Sequence, residues 1–231
     1  MSPSAPAAFP TAGRPALLPQ RFLFGASLLL FVLTLLFVTA NLDVGLLLEI
    51  YQGAHADSLL FWRAVTDVGS NVFLAVVVAI LAIALVLRRR YDMALWLLAG
   101  LLLTSFTVEL VKWLVGRARP SVPFLGTAGG ASFPSGHAAK SLFVFYFLWL
   151  LLAGSGVMRN RGWIVAIARE LCSIALAVLP ALIGYSRVYL GVHWPSDVLG
   201  GWAVGFFVLG VSFLGISSRG EPPPEYGSRT D

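Results

Sequence analysis

Two polar islands interrupt an otherwise apolar chain, and each carries residues able to handle an anion. The first runs from Lys112 to Lys140 and centres on Phe133-Pro134-Ser135-Gly136-His137. It holds both lysines of the protein, Arg117, Arg119 and one of its three histidines. Pro134 and Gly136 break helical continuity just before an apolar run that starts at Ala138. The amides of Ser135, Gly136 and His137 are therefore expected to stand unpaired at a helix N-terminus. Free N–H groups and the positive end of a helix dipole both favour an anion there. Lys112, Arg117 and Arg119 lie a short loop away and add full charges, which makes a phosphate the natural ligand.

The second island, Tyr185–Asp197, contains Ser186, Arg187, His193 and Asp197. His193 and Asp197 are four residues apart, with Pro195 where the first turn of a helix accepts proline. That spacing stacks both side chains on one face. A carboxylate so placed can keep one imidazole nitrogen protonated and leave the other as a nucleophile. His137 is then the natural second catalyst, protonating the departing oxygen. The competing reading is a metal site made of His137, His193 and Asp197. At least three cations converge on the same place and would repel a divalent ion, and no second carboxylate is near in sequence. No metal and no other cofactor is expected.

The elements that must position these residues are membrane helices. Mean hydropathy is +0.85 and only 12% of residues are charged, against about 25% in a soluble domain. The net charge of +5 is spread between apolar segments rather than pooled into a stripe, which argues against nucleic acid. Spans are expected at about 22–40, 71–87, 92–114, 137–153, 169–186 and 196–216, each near the ~20 residues needed to cross the hydrocarbon. Pro180 and Gly184 make the fifth the weakest. Residues 41–70 are amphipathic and predict an interfacial hairpin or a pair of short helices on the outer surface. Residues 1–20, rich in Pro, Ala and Ser, and the tail 219–231, with three prolines at 222–224, are expected to be disordered. The domain is thus 21–218. Assigning basic residues to alternate sides of six spans puts Arg88, Arg89, Arg90 and most other arginines on one side. The other side keeps the two islands and Arg63. The positive-inside bias then makes both termini cytoplasmic and turns the islands outward. The single cysteine, Cys172, excludes an internal disulfide and reads as an inert core thiol.

Lys112-x6-Arg119-Pro120, Pro134-Ser135-Gly136-His137 and Ser186-Arg187-x5-His193-x3-Asp197 together resemble the three signature motifs of the type 2 phosphatidic acid phosphatase (PAP2) superfamily. All three are complete and in the family's order. The resemblance implies an all-α membrane protein of six transmembrane helices with a core like that of PAP2 enzymes and vanadium haloperoxidases. It further implies that Lys112, Arg119, Ser135, Gly136 and Arg187 bind the phosphoryl oxygens. His193 would attack phosphorus to form a phosphohistidine, Asp197 would orient it, and His137 would serve as general acid and then general base. The implied activity is metal-independent hydrolysis of a lipid phosphate or diphosphate at the outer face of a bacterial inner membrane. Phosphatidate, phosphatidylglycerophosphate, polyprenyl diphosphate and lipid A phosphate are the candidate substrates. A phosphotransferase using the same phosphohistidine is one alternative. A non-catalytic phospholipid-binding or scrambling protein is another, although binding alone does not call for a nucleophile and an acid.

Five residues fall outside the motifs. Arg117 reads as a loop charge meeting headgroups, His55 as a surface loop residue and Trp194 as an interfacial anchor. A charge at bilayer depth costs on the order of 2.5–3.5 kcal/mol and needs a partner, which singles out Glu109 and Lys140. Glu109 precedes Lys112 by one turn and could hold its ammonium. Lys140 follows His137 by one turn and could pair with Glu109, contact a second anionic group of the substrate, or snorkel to the interface.

Overall fold

A computed structural model describes residues 20–53, 56–123, 125, 126, 128–154 and 163–218. Among the described residues there are eight helices and no strand: α1 (Gln20–Thr39), α2 (Leu42–Gln52), α3 (Ala56–Val68), α4 (Asn71–Leu87), α5 (Tyr91–Val115), α6 (Gly136–Gly154), α7 (Trp163–Tyr189) and α8 (Pro195–Ser218). Each of the six apolar runs expected to span is a helix. By length and composition α1, α5, α7 and α8 suffice to cross a membrane, and a fifth span exists if α3 and α4, bent by 45°, act as one. The shortfall from six is one of length. At 1.5 Å per residue, the 17 residues of α4 reach only about 26 Å against ~30 Å of hydrocarbon. His55 and both terminal segments lie outside the described residues.

α6 is the central element, packed against α4, α5, α7 and α8. Phe143 and Phe147 on it are fully buried, and Leu97, Ile183, Val208 and Leu209 from the surrounding helices close the same core. α1 lies along α8, where Ser27 Oγ donates to the Ala203 carbonyl at 2.9 Å. α7 runs unbroken through Pro180 and Gly184. Gly184 is small because α8 comes close: an added Cβ would stand 2.5 Å from the Trp202 ring and 2.6 Å from Val198.

The outer surface carries Leu28, Phe106, Trp113 and Leu171, each more than half exposed. A bilayer is as apolar as the core, so an apolar residue in a span need not face inward. Cys172 illustrates this. It was expected in the core, yet it is exposed on α7.

The 41–70 stretch does form two short helices, but they are not a detached surface hairpin. α2 packs on α7 and α8, and α3 packs on α7. Leu59 and Trp62 of α3 cover Tyr189, Leu190 and Val192 at the end of α7. This cap holds the turn on which His193 sits.

Candidate active site

The two islands meet at one end of the bundle. The amide of Ser135 donates to the Asp197 carbonyl at 2.9 Å, joining the start of α6 to the first turn of α8. That bond overturns one expectation, because Ser135 was counted among the free amides. Its amide serves to fix the loop to α8. The same approach explains two glycines on α8. A Cβ on Gly200 would stand 2.4 Å from the Phe133 ring, and one on Gly201 would stand 2.5 Å from the Ser135 carbonyl oxygen.

Gly201 gives a direct test of this packing. Glycine to alanine inside a helix normally gains about 1 kcal/mol, but here the obstacle is backbone, which cannot rotate away. The clash should win. Gly201→Ala is expected to lower phosphate release by about 10²-fold, as a displacement near 1 Å at a catalytic turn can. Gly25→Ala, at a site with nothing within 4 Å, should keep full activity in the same assay.

His193 sits in a turn made possible by Gly191, whose φ of +69° suits glycine. The carbonyl of Arg187 accepts the amides of Val192 and His193 at 3.1 and 3.2 Å, so α7 itself anchors the histidine. The ring is buried, 3% exposed. Its Nδ1 lies 3.3 Å from Asp197 Oδ2 and its Nε2 lies 3.3 Å from Arg119 Nη1. A guanidinium can only donate, so Nε2 presents a lone pair and the ring proton resides on Nδ1, donated to Asp197. Burial pushes the imidazole pKa down to about 4, with Arg187 and Arg119 adding to the effect and Asp197 opposing it. Above that pH the folded protein keeps the ring neutral, as a nucleophile must be.

Arg119 spends all five of its N–H donors. Nε donates to the Gly130 carbonyl at 3.1 Å, Nη2 to Gly129 at 2.7 Å and Ala131 at 3.3 Å, and Nη1 to Val192 at 2.6 Å besides His193. It therefore staples the 117–132 loop to the His193 turn, and the N–H aimed at Nε2 faces the reacting position. Arg187, 3% exposed, extends Nη1 to Thr66 Oγ1 of α3 at 2.8 Å. His137, at the first turn of α6, lies within electrostatic reach of Arg187, His193, Lys140 and Lys112. Lys112 holds Glu109 at 3.3 Å, as the one-turn spacing suggested. Lys140 does not pair with Glu109. Its Nζ donates to Asn71 Oδ1 of α4.

Sequence reasoning misplaced one residue and missed several. Arg117 is no loop charge. Its Nη1 donates to Asp197 Oδ1 at 2.8 Å and Ser196 Oγ at 2.6 Å, and its Nη2 to Asp43 Oδ2 at 2.7 Å. Its guanidinium lies 5.3 Å from the Trp194 ring. Trp194, half-buried, donates its indole N–H to the Ala118 carbonyl at 3.0 Å, which ties the His193 turn to the loop that carries Arg117 and Arg119. Asp43, on α2, is 5% exposed and also accepts the Ser196 amide at 2.8 Å. Ser132 donates its hydroxyl to Asp197 Oδ2, as does the Trp194 amide at 2.9 Å. Asp197 is thus held by Arg117 on one oxygen and by Ser132, Trp194 and His193 on the other. The signal for Asp43 was present, since an acid within Leu42–Leu48 had no local partner.

Residues 93–221 match the PAP2 superfamily. The chain belongs to that superfamily. It is 31% identical over 150 residues to phosphatidylglycerophosphatase B of Bacillus subtilis, covering 63% of this chain and 68% of that relative. It is 28% identical over 153 residues to an undecaprenyl-diphosphatase of Sulfolobus acidocaldarius, covering 63% of this chain and 65% of the relative. The fold matches the crystal structure of a transmembrane PAP2-type phosphatidylglycerolphosphate phosphatase from Bacillus subtilis with a TM-score of 0.74 at 21% identity, over 87% of this chain and 98% of that one. The matched region contains the residues from Lys112 to Asp197 that form the site.

Proposed function

We propose that this PAP2 protein is an integral membrane phosphatase that hydrolyses a lipid phosphate or diphosphate through a phosphohistidine, without a metal. The observation that carries the reading is the orientation of His193. Nδ1–H is held by Asp197, and the Nε2 lone pair faces the Arg119 guanidinium, with the charge of Arg187 acting on the same ring. In the first step that lone pair attacks phosphorus in line. The bond to the leaving oxygen breaks, its electrons stay on that oxygen, and His137 supplies the proton. In the second step water attacks the phosphohistidine, His137 takes the proton of water, and the N–P electrons return to Nε2. Lys112, Arg187 and the Gly136 turn position the equatorial oxygens and Arg119 adds its charge beside them, which is most of what phosphoryl transfer requires.

The chain crosses the membrane six times in this reading, α4 and α6 counted as short crossings. Both termini are cytoplasmic and the site opens on the outer face of a bacterial inner membrane. The substrate is amphipathic because the site lies at the mouth of an apolar bundle. Phosphatidylglycerophosphate, phosphatidate, a polyprenyl diphosphate and a lipid A phosphate are its candidates.

A phosphate-release assay in detergent across those four lipids, with and without EDTA, tests the proposal. Release that survives EDTA is expected, because four cations around the site oppose a divalent ion. Loss with EDTA and return with a metal would refute the metal-free chemistry. Radiolabel passing to a second lipid instead of water would identify a phosphotransferase. Lipid movement in liposomes that persists in His193→Ala would identify a scrambling protein. Arg187→Ala should lower kcat/KM by about 10²–10³-fold, the usual cost of one preorganised donor. A kcat/KM within a few-fold of wild type would remove Arg187 from the phosphate cradle.

A further inference from the structure

A cavity of 310 Å³ opens between α4, α5 and α6 beside the site. Its lining is graded. Asn71, Ser105, Glu109 and Lys140 form the end nearest the site, and Leu74 and Leu101 lie a turn or more deeper along the same helices. On α5 the residues Leu101, Ser105 and Glu109 recur at four-residue spacing, so one helix face passes from apolar to polar. A ligand that fits such a gradient has a polar group at the top and the beginning of a hydrocarbon chain below it.

Lys140 points back along α6 towards the phosphate-binding turn. A Cβ on Gly136 would come within 3.6 Å of its Cε and 3.7 Å of its Nζ. Asn71 takes one of the three ammonium N–H donors. The reading of His193 as nucleophile and His137 as acid fixes the direction of transfer, because the leaving group departs opposite Nε2, on the His137 side. Lys140, one turn beyond His137, then stands where the leaving group goes.

Resting on that reading, we propose that this cavity is a leaving-group subsite in which Lys140 and Asn71 hold the second, non-transferred phosphate of a lipid diphosphate. The transferred phosphorus leaves the bridging oxygen, whose electron pair remains on the departing lipid monophosphate and is protonated by His137. Lys140 offsets the charge that grows on that leaving phosphate. A monophosphate of the same alcohol has no second phosphate to place there. Glu109, which lines the same cavity, has its carboxylate 3.3 Å from Lys112 Nζ, so part of its charge is offset.

The experiment compares kcat/KM for a prenyl diphosphate and the monophosphate of the same prenol in detergent, for wild type, Lys140→Gln and Lys140→Arg. Lys140→Gln should lose at least about tenfold more on the diphosphate than on the monophosphate, the weight of one charged hydrogen bond. Lys140→Arg should recover most of that difference, which a folding defect would not allow. Equal losses on both substrates, no loss on either, or a wild type that hydrolyses only the monophosphate would each overturn the subsite while leaving the phosphatase intact. A wild type that releases phosphate from neither lipid would overturn the phosphatase reading as well.

Discussion

Replacing His193 by alanine is expected to reduce phosphate release by at least about 10⁴-fold, the scale on which enzymes lose rate when their nucleophile is removed. The size follows from the site. The groups around the His193 position include the guanidinium of Arg119, the carboxylate of Asp197 and the hydroxyl of Ser132, which is itself committed to Asp197. None can replace an imidazole lone pair, so direct attack by water would be left. Acid-labile, base-stable radiolabel should accumulate on wild type during turnover and be absent from the variant. Substrate binding should change far less than turnover, since Lys112, Arg187 and the α6 turn are untouched. Wild-type turnover in His193→Ala would remove the covalent mechanism altogether.

Arg117→Ala is expected to cost the second largest effect, about 10²-fold or more in kcat with little change in KM. Arg117 is the only side chain in direct contact with both Asp43 and Asp197 among the described residues, and it bridges them at 2.7 and 2.8 Å. Both carboxylates are buried, at 7% and 0% side-chain exposure. Removing one partner from such an arrangement typically costs about 3–5 kcal/mol, because a charge is left buried without compensation. Part of that cost should appear as lower thermal stability. The rest should appear as misorientation of Asp197, and hence of His193. The two are separable through the tautomer of His193. In nitrogen-resolved NMR the wild-type ring should show Nδ1 protonated and Nε2 bare, and Arg117→Ala should mix the tautomers even below its melting transition. Arg117→Lys restores the charge but not the two-carboxylate bridge, so its kcat should fall between the two. A variant with unmixed tautomers and wild-type kcat would show that Arg117 only braces the fold.

Chemical identity was readable in the linear order of residues. The three motifs marked the superfamily, because phosphoryl chemistry demands particular side chains at particular spacings. The apolar runs named the helices because ~20 apolar residues in a row have one solution in a bilayer. Glu109 and Lys112 were paired from spacing alone, since residues one turn apart on a helix are neighbours whatever else is near.

What the chain order could not disclose was anything made by distant segments. Asp43 lies 74 positions from Arg117 and 153 from Ser196, yet it binds both. Lys140 met Asn71 of α4 rather than the nearer Glu109. Cys172 faced outward because hydrophobicity cannot separate core from lipid surface, and Ser135 spent its amide on Asp197 because α8 approaches α6 through glycine. Periodicity fixes which face a residue occupies on its own helix. Only the packing of one helix on another decides what that face meets, and in this protein that meeting turns two polar islands into one site.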